Sequence, residues 1–229
     1  MRKIEIIPNG LIPHDSSIKK INISKNKLRY KYGFNKSDRI ILNLSRLSYL
    51  KGVDLLIEAF GDLAKQNGNY KLVIAGPDEG GQLRKLKFLI EKLKIKNNVF
   101  LLGLVEGKKK QELLSLVDVF ALFSRYEPFS IATLEALQYN LPVCLSKEVG
   151  VAEEVLRYKC GILVENTANS QKSAKQLEWV YYNRKTLAKN CKSALKQFDI
   201  NNIIDKLIAI YKDLPCATLK DLPCATLKK

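Results

Sequence analysis

Two glutamates in the segment from Arg125 to Gln138 are the residues whose type and position first indicate chemistry. Glu127 follows an apolar run, 119–123, that predicts a strand, and Glu135 lies in the helical pattern that comes next. Glu135 is the only charged residue from 131 to 139, and a carboxylate on so apolar a surface is costly unless it is paired. Ser130 suits the N-cap of that helix, whose free N–H groups favour an anion. We therefore predict a site for a ligand that carries hydroxyl and phosphate groups.

A second loop, after the apolar run 39–44, carries the basic residues Arg46 and Lys51. Fixed cations stabilise negative charge that develops on a departing phosphate group more than they stabilise the ground state. The alternative is a pair of surface cations beside Asp54. Because ligands of parallel α/β sheets bind beyond the carboxyl ends of the strands, we favour a binding role.

Short apolar runs alternate with longer amphipathic patterns, and glycine or proline marks most junctions. The predicted strands are 39–44, 71–75, 99–102, 119–122, 142–145 and 161–164. The predicted helices between them are 54–65, 82–93, 109–116 and 131–139. This alternation predicts an α/β fold with a doubly wound, Rossmann-like parallel sheet. The loops 46–52, 76–81, 103–107 and 125–130 would then share one edge of that sheet.

The region after Val164 has a helical pattern, and we predict helices over 170–183, 184–198 and 201–212. The last of these has a largely apolar face. The sequence 213–220 is repeated without change as 221–228, which is too short for a structural repeat unit. We interpret this duplicated tail, 213–229, as a short gene duplication or an assembly artefact and expect it to be disordered.

The composition is ordinary for a globular protein of 229 residues except for its net charge of +16. Nucleic acid, an anionic membrane surface and phosphorylated small molecules all fit such a charge. No stretch interleaves basic and aromatic residues as a nucleic-acid module does, so we expect no nucleic-acid partner. A basic face that favours contact with an anionic membrane is the better interpretation. No apolar run approaches the length that spans a bilayer, and no signal peptide is evident.

Histidine and cysteine offer no second site for catalysis or a metal. His14 is the only histidine, and we interpret it as a solvated residue rather than a catalytic base. The cysteines form no Cys-x-x-Cys pair, and an odd number of them indicates free thiols in a reducing cytoplasm; they are Cys144, Cys160, Cys191, Cys216 and Cys224. There is no Asp-x-Asp pair, so we expect neither a metal nor another cofactor.

The spacing of Glu127 and Glu135, with seven residues between them, resembles the Glu-x7-Glu motif of glycosyltransferase family 4. Further segments resemble that family in its own order: Ile7-Pro8-Asn9-Gly10, Ser45-Arg46-Leu47-Ser48-Tyr49-Leu50-Lys51-Gly52, Ile74-Ala75-Gly76-Pro77-Asp78-Glu79-Gly80 and Val99-Phe100-Leu101-Leu102-Gly103. The resemblance implies one half of a GT-B fold, the C-terminal half, which binds the nucleotide-sugar donor.

The resemblance also implies roles for residues of the site. Arg46 and Lys51 would hold the diphosphate, Glu127 would grip the sugar hydroxyls, and Glu135 would accept hydrogen bonds from the ribose. The alternative for Glu135 is a buried acid that pairs with an internal cation. Backbone groups would complete the donor site; they belong to Gly76, Leu104, Val105, Phe129, Ser130, Ile131 and Gly150.

Two positions depart from the family pattern. Ser130 stands where the family has glycine, and its side chain is expected to narrow the sugar pocket or to shift the amide if the backbone requires a positive φ. Val149 stands in place of the first glycine of a Gly-Gly-x-x-Glu turn that continues through Gly150. These departures bear on the identity of the sugar and on activity.

We divide the chain into a hinge-like N-terminal segment 1–14, a donor-binding domain 15–198, a closing helix 199–212 and the duplicated tail. Family members have a second domain for the acceptor, which we expect to be absent here. A split enzyme with a partner chain, a fragment and a relic that only binds nucleotide are the alternatives.

The reaction that the resemblance implies is a retaining, metal-independent transfer of a hexose from a UDP- or GDP-sugar to a glycan or a lipid-linked acceptor. A cytoplasmic protein, peripheral at the inner membrane face, fits the charge. A non-catalytic nucleotide-binding or interaction module is the alternative.

Overall fold

The computed structural model describes residues 7–12, 23–164 and 169–213. His14, Cys216, Cys224 and residues 214–229 of the duplicated tail lie outside the described residues, so the expectations for them remain predictions.

Six strands form one parallel sheet in the order β3-β2-β1-β4-β5-β6. Their bounds agree with the predicted strands to within one residue at each end: β1 Arg39–Leu44, β2 Tyr70–Ala75, β3 Val99–Leu101, β4 Val119–Leu122, β5 Val143–Ser146 and β6 Gly161–Val164. The doubly wound parallel sheet is therefore confirmed. The strand order reverses between β1 and β4, and ligands bind at such a reversal in open α/β sheets.

Nine α-helices occur in the described part of the chain: α1 Lys25–Lys31, α2 Val53–Gln66, α3 Gln82–Lys92, α4 Gly107–Leu116, α5 Ile131–Gln138, α6 Ala152–Arg157, α7 Ser170–Ala188, α8 Cys191–Leu195 and α9 Ile200–Asp213. The predicted helices before β5 and the last helix are confirmed with small shifts at their ends. Sequence patterns missed α1 and α6, which have seven and six residues.

The prediction of helices over 170–183 and 184–198 was wrong. A single helix, α7, continues to Ala188, and α8 is a separate short helix followed by a 3-10 turn, Lys196–Phe198. The helix continues because Leu177, Val180 and Leu187 extend one buried stripe across the polar residues at 183 and 184.

Strand side chains alternate between two apolar cores, one on each face of the sheet. Helices α1, α4, α5, α6 and α8 cover one face, and α2, α3 and α7 cover the other. Three free thiols lie in these cores. Burial raises the pKa of Cys160 to about 11 and that of Cys191 to about 12, and it also raises the pKa of Cys144.

The segment that precedes the domain meets the segment that leaves it. Leu11 N–H donates to the Phe198 carbonyl at 2.6 Å, and Ile200 N–H donates to the Leu11 carbonyl at 3.1 Å. Helix α9 starts there and buries Ile203, whereas Ile204, Ile208 and Tyr211 are exposed. None of the helices in the described ranges is long and apolar enough to cross a membrane.

Candidate functional site

The loops after β1 and β4 meet at the point where the strand order reverses. The β1 loop makes a 3-10 turn, Tyr49–Lys51, and enters α2 through Gly52, which has a φ of 57°. A Cβ atom at Gly52 would overlap the carbonyl oxygen of Phe123, at the end of β4. Only a glycine therefore allows the two loops to approach so closely.

This approach pairs Lys51 with Glu127. Lys51 Nζ lies 2.6 Å from Glu127 Oε2, and the two side chains are 13% and 16% exposed. A largely desolvated pair of this kind has stronger electrostatic interactions than a surface pair. The two residues come from loops that sequence analysis treated separately, and the structure places a cation and an acceptor for hydroxyls side by side.

Arg125 holds the same two loops together, and sequence analysis did not assign it a role. Its guanidinium makes two hydrogen bonds to the Asp54 carboxylate, at 2.8 and 2.6 Å, and lies 4.1 Å from the centre of the Tyr49 ring. Arg125 N–H also donates to the Leu50 carbonyl at 2.8 Å. Asp54 is thus the partner of Arg125, not a neighbour that neutralises Lys51. The sequence signal that could have identified Arg125 is its position two residues before Glu127.

Ser130 is the N-cap residue of α5, and its backbone has the positive φ that we considered for this position because the family has glycine there. Its φ is 79°, so a non-glycine residue occupies the left-handed region here. Its hydroxyl accepts a hydrogen bond from Thr133 N–H at 3.3 Å and lies 2.8 Å from Thr133 Oγ1. The predicted N-cap is confirmed, and the hydroxyl is engaged by the helix.

A cavity of about 360 Å³ lies between these loops and the first turn of α5. Its lining is as follows: Asn9, Leu44, Ser45, Lys51, Glu127, Pro128, Phe129, Ser130, Ile131 and Ala132. The first N–H groups of a helix have no partner within the helix, so α5 offers donors beside Lys51. The cavity can therefore accept an anion at one end and hydroxyl groups at Glu127.

A second cavity of about 490 Å³ shares Asn9, Pro128 and Phe129 with the first. Gly150 lines this second cavity, and its N–H donates to the carbonyl of Glu127, which lines the first, at 2.7 Å. A Cβ atom at Gly150 would overlap the Pro128 carbonyl oxygen, so this position requires glycine. The glycine that the resemblance expects at position 150 is therefore required for steric reasons.

Glu135 lies outside both cavities and is paired. Its Oε1 is 2.6 Å from Lys110 Nζ, with the carboxylate side chain 24% and the lysine side chain 33% exposed. Burial, and then the Glu135 charge, raise the pKa of the neighbouring Tyr139 phenol. In this structure Glu135 is therefore paired with an internal cation, Lys110 of α4, which is the alternative to a carboxylate left free for a ligand.

Arg46 does not line the first cavity and is not paired with the same acid as Lys51. Its guanidinium lies 2.6 Å from Glu79 Oε1, with side chains 60% and 47% exposed. The structure thus brings Lys51, but not Arg46, to Glu127.

The remaining predicted positions lie along the same edge of the sheet. Gly76 N–H donates to the Gly103 carbonyl at 2.8 Å, and a Cβ atom at Gly76 would overlap the Ser45 carbonyl. Leu104 is exposed, whereas Val105 is buried in the core. Among the described residues no group of three or more His, Cys, Asp and Glu side chains could hold a metal ion.

Comparisons with known proteins show the family to which the chain belongs. The sequence model of the family described as Glycosyl transferases group 1 matches residues 24–198. An uncharacterized glycosyltransferase of Methanocaldococcus jannaschii is 30% identical over 215 residues, which cover 92% of this chain and 54% of that protein. The N-acetyl-alpha-D-glucosaminyl L-malate synthase of Bacillus anthracis is 26% identical over 82% of this chain and 49% of its own length.

A solved structure has the same fold with a nucleotide bound. The Anabaena protein HepE, in complex with UDP and glucose, superposes with a TM-score of 0.79 at 25% identity, over 92% of this chain and 57% of its own. The chain thus spans about half the length of the relatives it matches. It belongs to the group 1 glycosyltransferases and has the Rossmann-like architecture of their GT-B members.

Proposed function

We propose that this chain is the donor-binding half of a hexosyltransferase and binds a UDP- or GDP-sugar in the cavity between the β1 and β4 loops. The observation that carries the proposal is the Lys51–Glu127 pair at the edge of this cavity, beside the N-terminus of α5. The UDP and glucose in HepE support a nucleotide-sugar ligand, because that protein shares the fold.

In the proposed complex Lys51 and the first N–H groups of α5 bind the diphosphate. Breaking the bond between sugar and phosphate leaves negative charge on the departing nucleotide, and these fixed positive groups stabilise that charge. Arg46 contributes once its exposed pair with Glu79 opens, which costs little because surface pairs are weak. No metal is needed in this scheme.

Glu127 then orients the sugar, and Glu135 accepts the ribose hydroxyls. When the Lys51 ammonium group turns from Glu127 to the phosphate, the Glu127 carboxylate loses that hydrogen bond. It then accepts hydrogen bonds from the sugar hydroxyls instead. Backbone groups of Leu104 and Val105 frame the base. We further propose retention of configuration and a glycan or lipid-linked acceptor, on the resemblance of the Glu-x7-Glu segment.

The test is thermal stabilisation of the purified chain by UDP, GDP, ADP and their hexose conjugates. A ligand at one hundred times its dissociation constant stabilises the folded state by about 2.7 kcal/mol. Glu135→Ala should abolish the shift, whereas Glu91→Ala, at an exposed position of α3, should retain it. No shift with any nucleotide would contradict the proposal.

We propose that transfer requires an acceptor domain that is not part of this sequence, supplied by a partner chain or by a longer gene. Sugar transfer to an added acceptor by this chain alone would refute that requirement. A basic protein with a net charge of +16 is also expected to bind an anionic membrane surface peripherally, at the cytoplasmic face. Salt should release it from anionic liposomes, and binding that salt does not change would count against this partner.

A non-catalytic interaction module is the second candidate, and the apolar face of α9 favours it. Ile204, Ile208 and Tyr211 are exposed on this helix, and exposed apolar surface on a helix can mark a docking site. Association of the chain in size-exclusion chromatography, lost in Ile204→Lys and Ile208→Lys, would support it. A monomer at all concentrations would count against it.

A further inference from the structure

Lys110 links the helix that follows the expected base-binding loop to the helix that carries Glu135. It lies in the first turns of α4, which begins at Gly107 directly after the loop with Leu104 and Val105. Its ammonium reaches across to α5 and lies 2.6 Å from Glu135 Oε1. The adjacent Lys109 is exposed, and it is Lys110 that makes the contact with Glu135.

The environment of Glu135 explains why this contact matters. Its helical neighbours include Ile131 and Tyr139, and the carboxylate is largely removed from solvent. A carboxylate in such a place can rotate unless a cation fixes its orientation. Lys110 holds one oxygen by a charge-assisted hydrogen bond, and this sets the direction of the second oxygen.

We propose that Lys110 is a positioning residue that fixes the Glu135 carboxylate for the two hydroxyls of a ribose and so selects ribonucleotides over 2′-deoxyribonucleotides. This inference rests on the proposed function. The two oxygens of a carboxylate have about four acceptor sites, so Oε1 can bind Lys110 and a ribose hydroxyl together while the second oxygen accepts from the other hydroxyl. The bond to Lys110 fixes the plane in which these acceptor sites lie. A carboxylate without its anchor would gain little from the 2′-hydroxyl.

A purely structural link between α4 and α5 would have a different effect. Removal of Lys110 would then change the free energy of unfolding but would weaken UDP and 2′-deoxy-UDP equally. The ratio of the two dissociation constants therefore separates the two roles.

The experiment measures this ratio by calorimetry for the full chain and its variants, with UDP and 2′-deoxy-UDP, or with GDP and 2′-deoxy-GDP where guanine is the base that binds. The unaltered chain should prefer the ribonucleotide by about tenfold, the effect of one hydrogen bond to a charged group. Lys110→Met should weaken the ribonucleotide by about tenfold and bring the ratio near one. Lys110→Arg should restore part of the preference.

Two controls make the result specific. Lys109→Met removes the same charge next to Lys110 and should leave the ratio unchanged. In a Glu135→Gln background Lys110→Met should have no further effect on the ratio, because both changes act through one carboxylate. Lys110→Gln serves as the second variant if Lys110→Met does not fold.

A Lys110→Met protein that keeps the ribose preference would overturn this inference and leave the proposed function intact. If the unaltered chain binds no nucleotide, the proposed function and this inference both fail.

Discussion

The Lys51–Glu127 pair can be tested by removing its partners one at a time. Lys51→Met leaves the Glu127 carboxylate, which is only 16% exposed, without its cation at 2.6 Å. Removing one partner of a fully buried pair costs about 3–5 kcal/mol, and an unsatisfied polar group costs about 1–3 kcal/mol. Because some solvent reaches this pair, we expect Lys51→Met to lower the free energy of unfolding by about 2 kcal/mol.

The double variant Lys51→Met, Glu127→Gln should recover much of this loss, since no uncompensated charge remains. The single variant Glu127→Gln completes the cycle; with a cost of at most about 1 kcal/mol for it, a recovery to within about 1 kcal/mol of the unaltered chain gives a coupling energy of roughly 1–2 kcal/mol. The assay is urea denaturation at pH 7, with the slope m compared between variants to confirm that the same surface is exposed on unfolding.

Arg46→Met is the matched control. Its pair with Glu79 has the same distance of 2.6 Å, but its side chains are 60% and 47% exposed. Surface pairs contribute little, so the free energy of unfolding should change by less than about 0.5 kcal/mol. Equal losses in Lys51→Met and Arg46→Met would refute the argument that burial makes the first pair strong.

Three further predictions concern other parts of the site and the core. Arg125→Lys should lower nucleotide affinity and stability together, by about 1 kcal/mol in denaturation, because lysine cannot reproduce the two-bond fork; unchanged binding would show that Arg125 does not hold the loops. Gly150→Ala should destabilise the chain by about 1–3 kcal/mol because its Cβ overlaps the Pro128 carbonyl, whereas Gly68→Ala, with nothing near its Cβ, should be almost neutral in the same urea series. The pKa of Cys191 is raised to about 12 in the folded state, so its thiol ionises first in the unfolded chain, and the free energy of unfolding should fall as the pH rises above about 9; Cys191→Ala should make that pH dependence less steep without removing it, because burial also raises the pKa of Cys160 and Cys144.

The sheet was predictable because its signals are local. Each strand is a short apolar run bounded by glycine, proline or polar residues, and this pattern can be read from the sequence alone. The short helices α1 and α6 were missed because six or seven residues give barely two turns of periodicity. The false break at residue 183 followed from the polar residues Asn183 and Arg184, which the structure leaves half-buried within α7.

The site was predictable in its residues and not in its pairs. Glu127 was identified from its position after a strand, but its partner Lys51 is 76 residues away in the chain, and nothing local connects them. The same holds for Glu135, whose need for a partner was clear although Lys110 was not named. Arg125 was overlooked because the residues that it contacts, Tyr49 and Asp54, are 76 and 71 residues away in the chain.

The hydrogen bonds between Leu11 and residues 198–200 bring the two ends of the sheet-bearing unit to one point. A chain whose ends meet can be closed into a ring by a short linker and reopened elsewhere. The turn around Gly68 between α2 and β2 is a suitable place for new termini, since Gly68 and Asn69 are exposed and no atom lies within 4 Å of a Cβ placed on Gly68. The unit from Leu11 to Ile200 is therefore suited to circular permutation and to insertion as one cassette into a loop of another protein.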